Sequence, residues 1–478
     1  MSDNLTKVAT AQDSIRMSAF EATKQIMALG HVLDPEFEGE SRTATAILVG
    51  PPGVSKTAST KAAAKAMAEE QGLNFVEYEP GVQVTEKDFL YIHMNMSGFS
   101  PIRLSGIPTI VGENDGNIRT VYSTPDFAIQ GAKAGATMYC LDEFFRAQDV
   151  GALLSFVNEG HYCDTTANKR GSIFVCLSNE GSARDGTDIF RPDSAMINRG
   201  KLIFVKGDVE SWRENFANTR VHPAVLAYCS SHQELFEGYM KDTSSRDGFH
   251  QFPTLRSVTN CSDSLKGFER RRKGSGSLSP EERSFLYGDM RGYLGTKAGP
   301  ELLDLYDLAF AEVIPALKTV MPPLDSGKSP EPVPEPMLSI LKSVAANETI
   351  APDTLGKAYL YAEYLPPMAL AQMETVAKAV KANPENFTPA KEKKAMDLVY
   401  TQIGLAMAEL GPALQTMALR QFMALTMPKP ESRAHGIALV HAIMSGKYPG
   451  LNNLKVNMTN IVSDLDDVKD VLKQEPGQ

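Results

Sequence analysis

Eight consecutive residues, Gly50-Pro51-Pro52-Gly53-Val54-Ser55-Lys56-Thr57, combine the residue types that hold a polyphosphate. Glycine and proline shape a tight loop whose backbone N–H groups face an anion, the lysine brings a positive charge to it, and the threonine hydroxyl can ligate a hard cation. The run departs from G-x-x-x-x-G-K-[ST] at one place, where Ser55 stands for the second glycine; so small a side chain still lets phosphate come close. A second run, Met138-Tyr139-Cys140-Leu141-Asp142-Glu143, is an apolar stretch that ends in two acids. Asp142 can hold Mg²⁺ through water while Glu143 polarises the attacking water, the division of labour that phosphoryl transfer needs because its catalysis is positioning and charge stabilisation. Acids at a strand end are often only solvated; the phosphate loop upstream gives this pair a task.

Such residues need a scaffold that delivers them to one place. Ala44 to Val49 is a short apolar run entering the loop, and an Ala-rich helical stretch from Lys56 to Gln71 leaves it, the strand–loop–helix context a phosphate loop requires. Further strands are predicted at Asn74 to Tyr78, Thr137 to Leu141, Ser172 to Leu177 and Lys201 to Val205, and a helix over residues 14 to 29 precedes the first. Alternating strands and helices predict an α/β layer fold with a parallel sheet. The segment Pro80 to Ala136 reads as an insertion with its own small hairpin or loops, with turn signals at Gly81, Gly98, Gly106, Pro108 and Asn114-Asp115-Gly116. From Asp208 the pattern turns helical, the polar stretch Arg270 to Ser277 reads as an exposed loop, and Pro322 to Pro336 reads as an extended linker. Residues 337 to 478 read as all-helical. The expected domains are 1–207 (α/β nucleotide-binding), 208–313 (helical lid), 314–336 (linker) and 337–478 (all-α).

Composition narrows the classes of function. With 478 residues, 42% hydrophobic and 22% charged, the chain has the makeup of an ordinary globular protein of several domains. Its net charge of −10 gives no chain-wide reason to expect nucleic-acid binding. Five cysteines, Cys140, Cys163, Cys176, Cys229 and Cys261, form no C-x-x-C pair and read as reduced thiols. The first thirty residues lack an apolar leader, and no stretch reaches the length of a membrane span, so a cytoplasmic location is expected.

On these motifs the chain resembles the MoxR branch of AAA+ P-loop ATPases. Leu141 to Glu159, LDEFFRAQDVGALLSFVNE, is similar to the family's Walker B strand and following helix. Leu177-Ser178-Asn179-Glu180 is similar to its sensor 1 strand end, which implies that Asn179 orients the attacking water. Met196-Ile197-Asn198-Arg199 resembles its L-x-D-R segment, with Asn198 for the usual Asp; Arg199 is the implied arginine finger, with Arg191 the competing choice. Phe252 to Ser257 resembles the sensor 2 segment, with Leu255 where Pro is common, and implies that Arg256 contacts the γ-phosphate. Gly292-Tyr293-Leu294-Gly295 resembles a stretch late in such lids. The likeness covers roughly residues 40 to 313.

The resemblance implies an AAA+ sheet with helices on both faces, a helical lid, and ATP with Mg²⁺ as cofactors. It implies ATP hydrolysis at the interfaces of a homo-oligomeric ring, expected to be a hexamer, that remodels or activates a client or adaptor protein, with a von Willebrand A-domain partner among the family's known types. Two other functions stay open: a nucleic-acid motor of the related helicase branch, and a scaffold that binds nucleotide without turnover, against which the presence of Glu143 argues.

Overall fold

Strands that are apolar along their whole length need cover on both faces, and in the computed structural model they have it. The structure describes residues 16–463 except 35, 37–41, 99, 113–118, 148–149, 163–164, 181–196, 238–250, 273–276, 327, 386, 429 and 449. Outside the described residues lie the expected turn Asn114-Asp115-Gly116, Cys163, Arg191, Met196, most of the Gly/Ser part of the 270–277 loop, and the last fifteen residues. Two compact units make up the chain, dividing at Ser211 and Trp212, with Thr254–Arg256 belonging to the first.

The first unit is built on a six-stranded sheet, all neighbours parallel, in the order β10-β1-β9-β6-β3-β2. Its strands are β1 (Thr43–Val49), β2 (Asn74–Glu77), β3 (Asp88–Asn95), β6 (Ala136–Asp142), β9 (Ser172–Ser178) and β10 (Lys201–Phe204). Alternate residues serve opposite faces, as strand geometry requires. Ala46, Leu48, Tyr91, Cys140, Val175 and Ile203 pack towards helices α1 (Ala19–Met27) and α2 (Lys56–Glu70). Ile47, Leu90, Ile92, Tyr139, Leu141 and Phe174 pack towards α3 (Asp126–Lys133) and α4 (Val150–Glu159). On that second face Tyr139 stacks on Phe174 with centroids 4.8 Å apart, and Phe156 meets both rings edge-on. The fold is therefore the expected α/β arrangement, a parallel sheet with helices on both sides.

The segment from 80 to 136 holds more than an insertion. It carries an antiparallel hairpin, β4 (Pro108–Val111) with β5 (Arg119–Tyr122), but also β3, a central strand flanked by β2 and β6 that the sequence reading missed. Phe89, Leu90, Tyr91 and Ile92 are buried, an apolar run that the surrounding turn residues mask. A second short hairpin, β7 (His161–Tyr162) with β8 (Thr165–Thr166), precedes β9.

The second unit is helical. Six of its described helices, Pro223–Ser231, Pro280–Leu308, Pro352–Ala382, Pro389–Ala408, Pro412–Thr426 and Pro430–Ser445, begin on a proline, whose missing N–H costs nothing in a first turn. Ser279 adds a capping box with Glu282 to the second of them. The linker expected at 314–336 is different in the structure. It contains helix Ile314–Val320, whose Ala316, Leu317 and Val320 are buried, and both Met321 and Val333 are buried too. Proline lacks a donor but keeps its carbonyl acceptor. Gln372 Nε2 donates to the carbonyls of Met321 (3.1 Å) and Pro322 (3.2 Å), and Gln402 Nε2 to that of Pro322 (3.3 Å). Helix Pro352–Ala382 packs on Pro223–Ser231, on Ile314–Val320 and on Pro412–Thr426, so the regions drawn from sequence as lid and C-terminal domain share one core.

Candidate nucleotide site

The carboxyl ends of β1, β3, β6 and β9 lie side by side, with Val49 in register with Ser178 and Asn95 with Asp142. Gathering a site at the carboxyl edge of an open parallel sheet is the general behaviour of such folds. The loop 50–57 leaves β1 there. Gly50 donates its N–H to Ser178 O at 3.2 Å, and a Cβ on it would lie 2.3 Å from Val205 O, so only glycine fits. Gly53 has φ +80°, and a Cβ there would meet the Thr254 side chain at 2.7 Å. Ser55 takes the left-handed conformation too (φ 70°, ψ 23°), where glycine would sit without strain of order 1–3 kcal/mol. Its carbonyl accepts from both Ser59 N and Ser59 Oγ at 2.9 Å, bonds of the helix start that hold the turn.

Lys56 is buried, and its Nζ donates to Gly50 O (2.6 Å), Pro51 O (2.8 Å) and Asn179 Oδ1 (3.1 Å). The sequence-predicted lysine and sensor asparagine are thus in direct contact. Asn179 leaves β9 next to Glu180, whose carboxylate takes a bidentate bond from Arg16 at 2.6 and 3.0 Å. Arg16 precedes Met17, which pairs along β10 through bonds to Phe204 O and Lys206 N, both 2.9 Å. This brace from the segment before α1 carried no signal in the sequence, because its partners are 164 residues apart.

Asp142 closes β6. Thr57 Oγ1 donates to its Oδ2 at 3.0 Å, His93 Nε2 lies 3.3 Å from the same oxygen, and the Glu143 N–H donates to Oδ1 at 3.0 Å. Burial alone would push the pKa of this carboxyl up, but the three donors hold it below the usual aspartate range, so it is an anion at neutral pH. A hydroxyl beside a carboxylate is the donor set a magnesium ion takes, since Mg²⁺ prefers oxygen and needs few protein ligands when waters and phosphate oxygens supply the rest. Among the described residues no cluster of three or more His, Cys, Asp or Glu forms a metal cage, so any cation here relies on that sharing. Glu143 follows in a left-handed turn (φ 57°, ψ 36°), its carboxylate 3.0 Å from Arg146 Nε. Ser55 and Glu143 are two of three described non-glycine residues with positive φ, and strain of that kind concentrates at functional sites.

The arginines stand apart from this cluster. Arg256 lies exposed in the first turn of helix Leu255–Arg271, two residues after the Thr254 that touches Gly53. Arg199 is exposed just before β10, where the register of Lys201 with Ala46 places it level with Ala44. Six residues of strand, roughly 20 Å at about 3.3 Å each, separate that level from Gly50, beyond the reach of an arginine side chain. Pro51, Pro52 and Val54 complete the loop, with Val54 and Pro51 buried against the unit.

No protein-family model and no curated protein matches the sequence. Among solved structures the chain is similar to PCH-2 of C. elegans, with 15% identity over 63% of this chain and 70% of that one, and a TM-score of 0.27. A superposition that loose carries no function across.

Proposed function

We propose that the chain is an ATP hydrolase of the AAA+ class, of MoxR type, that works as a ring, expected to be a hexamer, to remodel or activate a client protein. The observation that carries the reading is the convergence of Lys56, Thr57, Asp142, Glu143 and Asn179 at the carboxyl ends of neighbouring strands, with Lys56 bonded to Asn179 and Thr57 to Asp142. In it, the loop N–H groups of residues 50–57 cradle the phosphates and Lys56 leaves its internal carbonyl acceptors for the β and γ oxygens. Thr57 and Asp142 hold the magnesium, which when bound neutralises charge on those oxygens. Glu143 takes the proton of the attacking water, Asn179 orients that water, and Arg256 contacts the γ-phosphate.

Arg199 is the finger for a neighbouring subunit. Its place at the amino end of β10, far from its own loop, favours action in trans, where such a finger contributes about 10³ to 10⁵ in rate. Coupling to a client follows because γ-phosphate loss releases contacts made from two bodies at once. A client or adaptor, with a von Willebrand A-domain protein among the candidates, and a cytoplasmic setting belong to the same reading. No described helix is long and apolar enough to cross a membrane.

Phosphate release tests it. Activity per chain should rise with protein concentration while rings assemble, Arg199→Ala and Lys56→Ala should each be nearly inactive, and their mixture should regain activity through interfaces that pair an intact finger with an intact loop. Constant activity per chain down to concentrations where sedimentation shows only monomer contradicts the shared site. No phosphate release at any concentration contradicts the hydrolase.

A further inference from the structure

The geometry points to His93 as a positioning residue for the Asp142 carboxylate, and through it for the magnesium–nucleotide complex, an assignment that rests on the ATPase reading above. His93 stands on β3, the strand absent from the sequence reading. The register sets Asn95 opposite Asp142, so His93 and Asp142 share one face of the sheet, and His93 Nε2 reaches Asp142 Oδ2 at 3.3 Å.

The three donors on Asp142 are not equivalent. The Glu143 N–H holds Oδ1 from the adjacent peptide and goes wherever the strand end goes. The Thr57 hydroxyl holds Oδ2 at 3.0 Å, but it also has to turn a lone pair to the cation, which restricts its hydrogen. His93 has no such second duty. It comes from a neighbouring strand fixed by ladder bonds, so it sets the plane of the carboxylate independently of the phosphate loop. Partners that orient metal-binding carboxylates in this way are worth 10- to 100-fold in metal affinity or activity.

Packing does not explain the residue. Its side chain is 40% exposed, whereas the β3 residues that build the core are Phe89 to Ile92, all buried. His93 can therefore be changed without opening the sheet, and its effect on the site can be read alone.

The test uses the full-length chain and calorimetric titration of a non-hydrolysable ATP analogue at graded Mg²⁺. For His93→Ala, the Mg²⁺ concentration giving half of the metal-dependent gain in affinity should rise about 10-fold or more, while analogue binding without metal and the thermal melting midpoint stay as in the unaltered chain. His93→Gln, which keeps an N–H donor at similar reach, should recover most of the loss. An unchanged Mg²⁺ dependence in His93→Ala overturns the assignment, and so does a Gln variant no better than Ala. If the unaltered chain binds no analogue, the ATPase reading itself falls and this assignment with it; that outcome is separate because it appears before any substitution.

Discussion

Asp142 in the first unit and Glu363 in the second are both carboxylates facing a partner, and they respond in opposite directions. Burial works to raise both. At Asp142 three donors, from Thr57, His93 and the Glu143 backbone, outweigh it, and the group is held as an anion at a strand end that is still 26% exposed. At Glu363 burial is complete, the side chain sits in helix Pro352–Ala382 against Arg213, and burial wins: the carboxyl is raised despite the guanidinium beside it. At Asp142 charge is organised by several donors at a strand end that solvent reaches. At Glu363 it is closed on itself in a buried pair. Glu269, partly exposed in the same unit, follows Asp142 instead: bonds from His222 Nε2 (3.1 Å) and Tyr306 Oη (2.9 Å) outweigh its burial and hold it below the usual glutamate range. An ion pair alone is a poor sign of function; one carboxylate shared by donors from several strand ends is a better one.

The largest effect that breaks this contrast is removal of the helices that close the second unit. A fragment of residues 1–321 lacks Pro352–Ala382, which packs on helices Pro223–Ser231 and Pro280–Leu308 and sets Gly356 against the buried Leu305. It should bind a dye that reports exposed apolar surface and lose the cooperative melting of that unit. Melting as cooperative as that of the full chain would show that the 314–336 segment is a linker after all. A smaller effect is expected from Arg213→Met in the intact chain, which leaves Glu363 buried without its cation and should cost about 3–5 kcal/mol by denaturant titration, with nucleotide affinity kept. Loss of affinity without loss of stability would mean that the second unit's buried pair belongs to the site.

Much of the first unit was readable because its constraints are local. The 50–57 loop, the Asp142-Glu143 pair and the strands β1, β6 and β9 are each defined by a few adjacent residues with one period and one boundary. What escaped depends on pairing between distant segments. β3 ends in His93-Met94-Asn95 and lies among glycines and prolines, so its four buried apolar residues did not stand out as a strand. The Arg16–Glu180 brace and the His93–Asp142 contact exist only once the sheet order is set. Proline misled in the second unit because one residue type suits both an extended linker and the first turn of a helix. Between Pro322 and Pro336, buried Val333 and the carbonyls held by Gln372 and Gln402 decide for packed chain, and neither is visible in composition.

If Glu143 acts on the attacking water while Lys56 and the loop hold the nucleotide, one pair of numbers on Glu143→Gln separates the two roles: the dissociation constant for ATP with Mg²⁺, and the rate of phosphate release. The side chain contacts Arg146 and not the loop bonds of Lys56, so the dissociation constant should stay close to that of the unaltered chain. Removing a group that takes a proton in the transition state should lower phosphate release by about 10² to 10⁴. Phosphate release at the unaltered rate, or binding lost together with turnover, would rule out that division of roles.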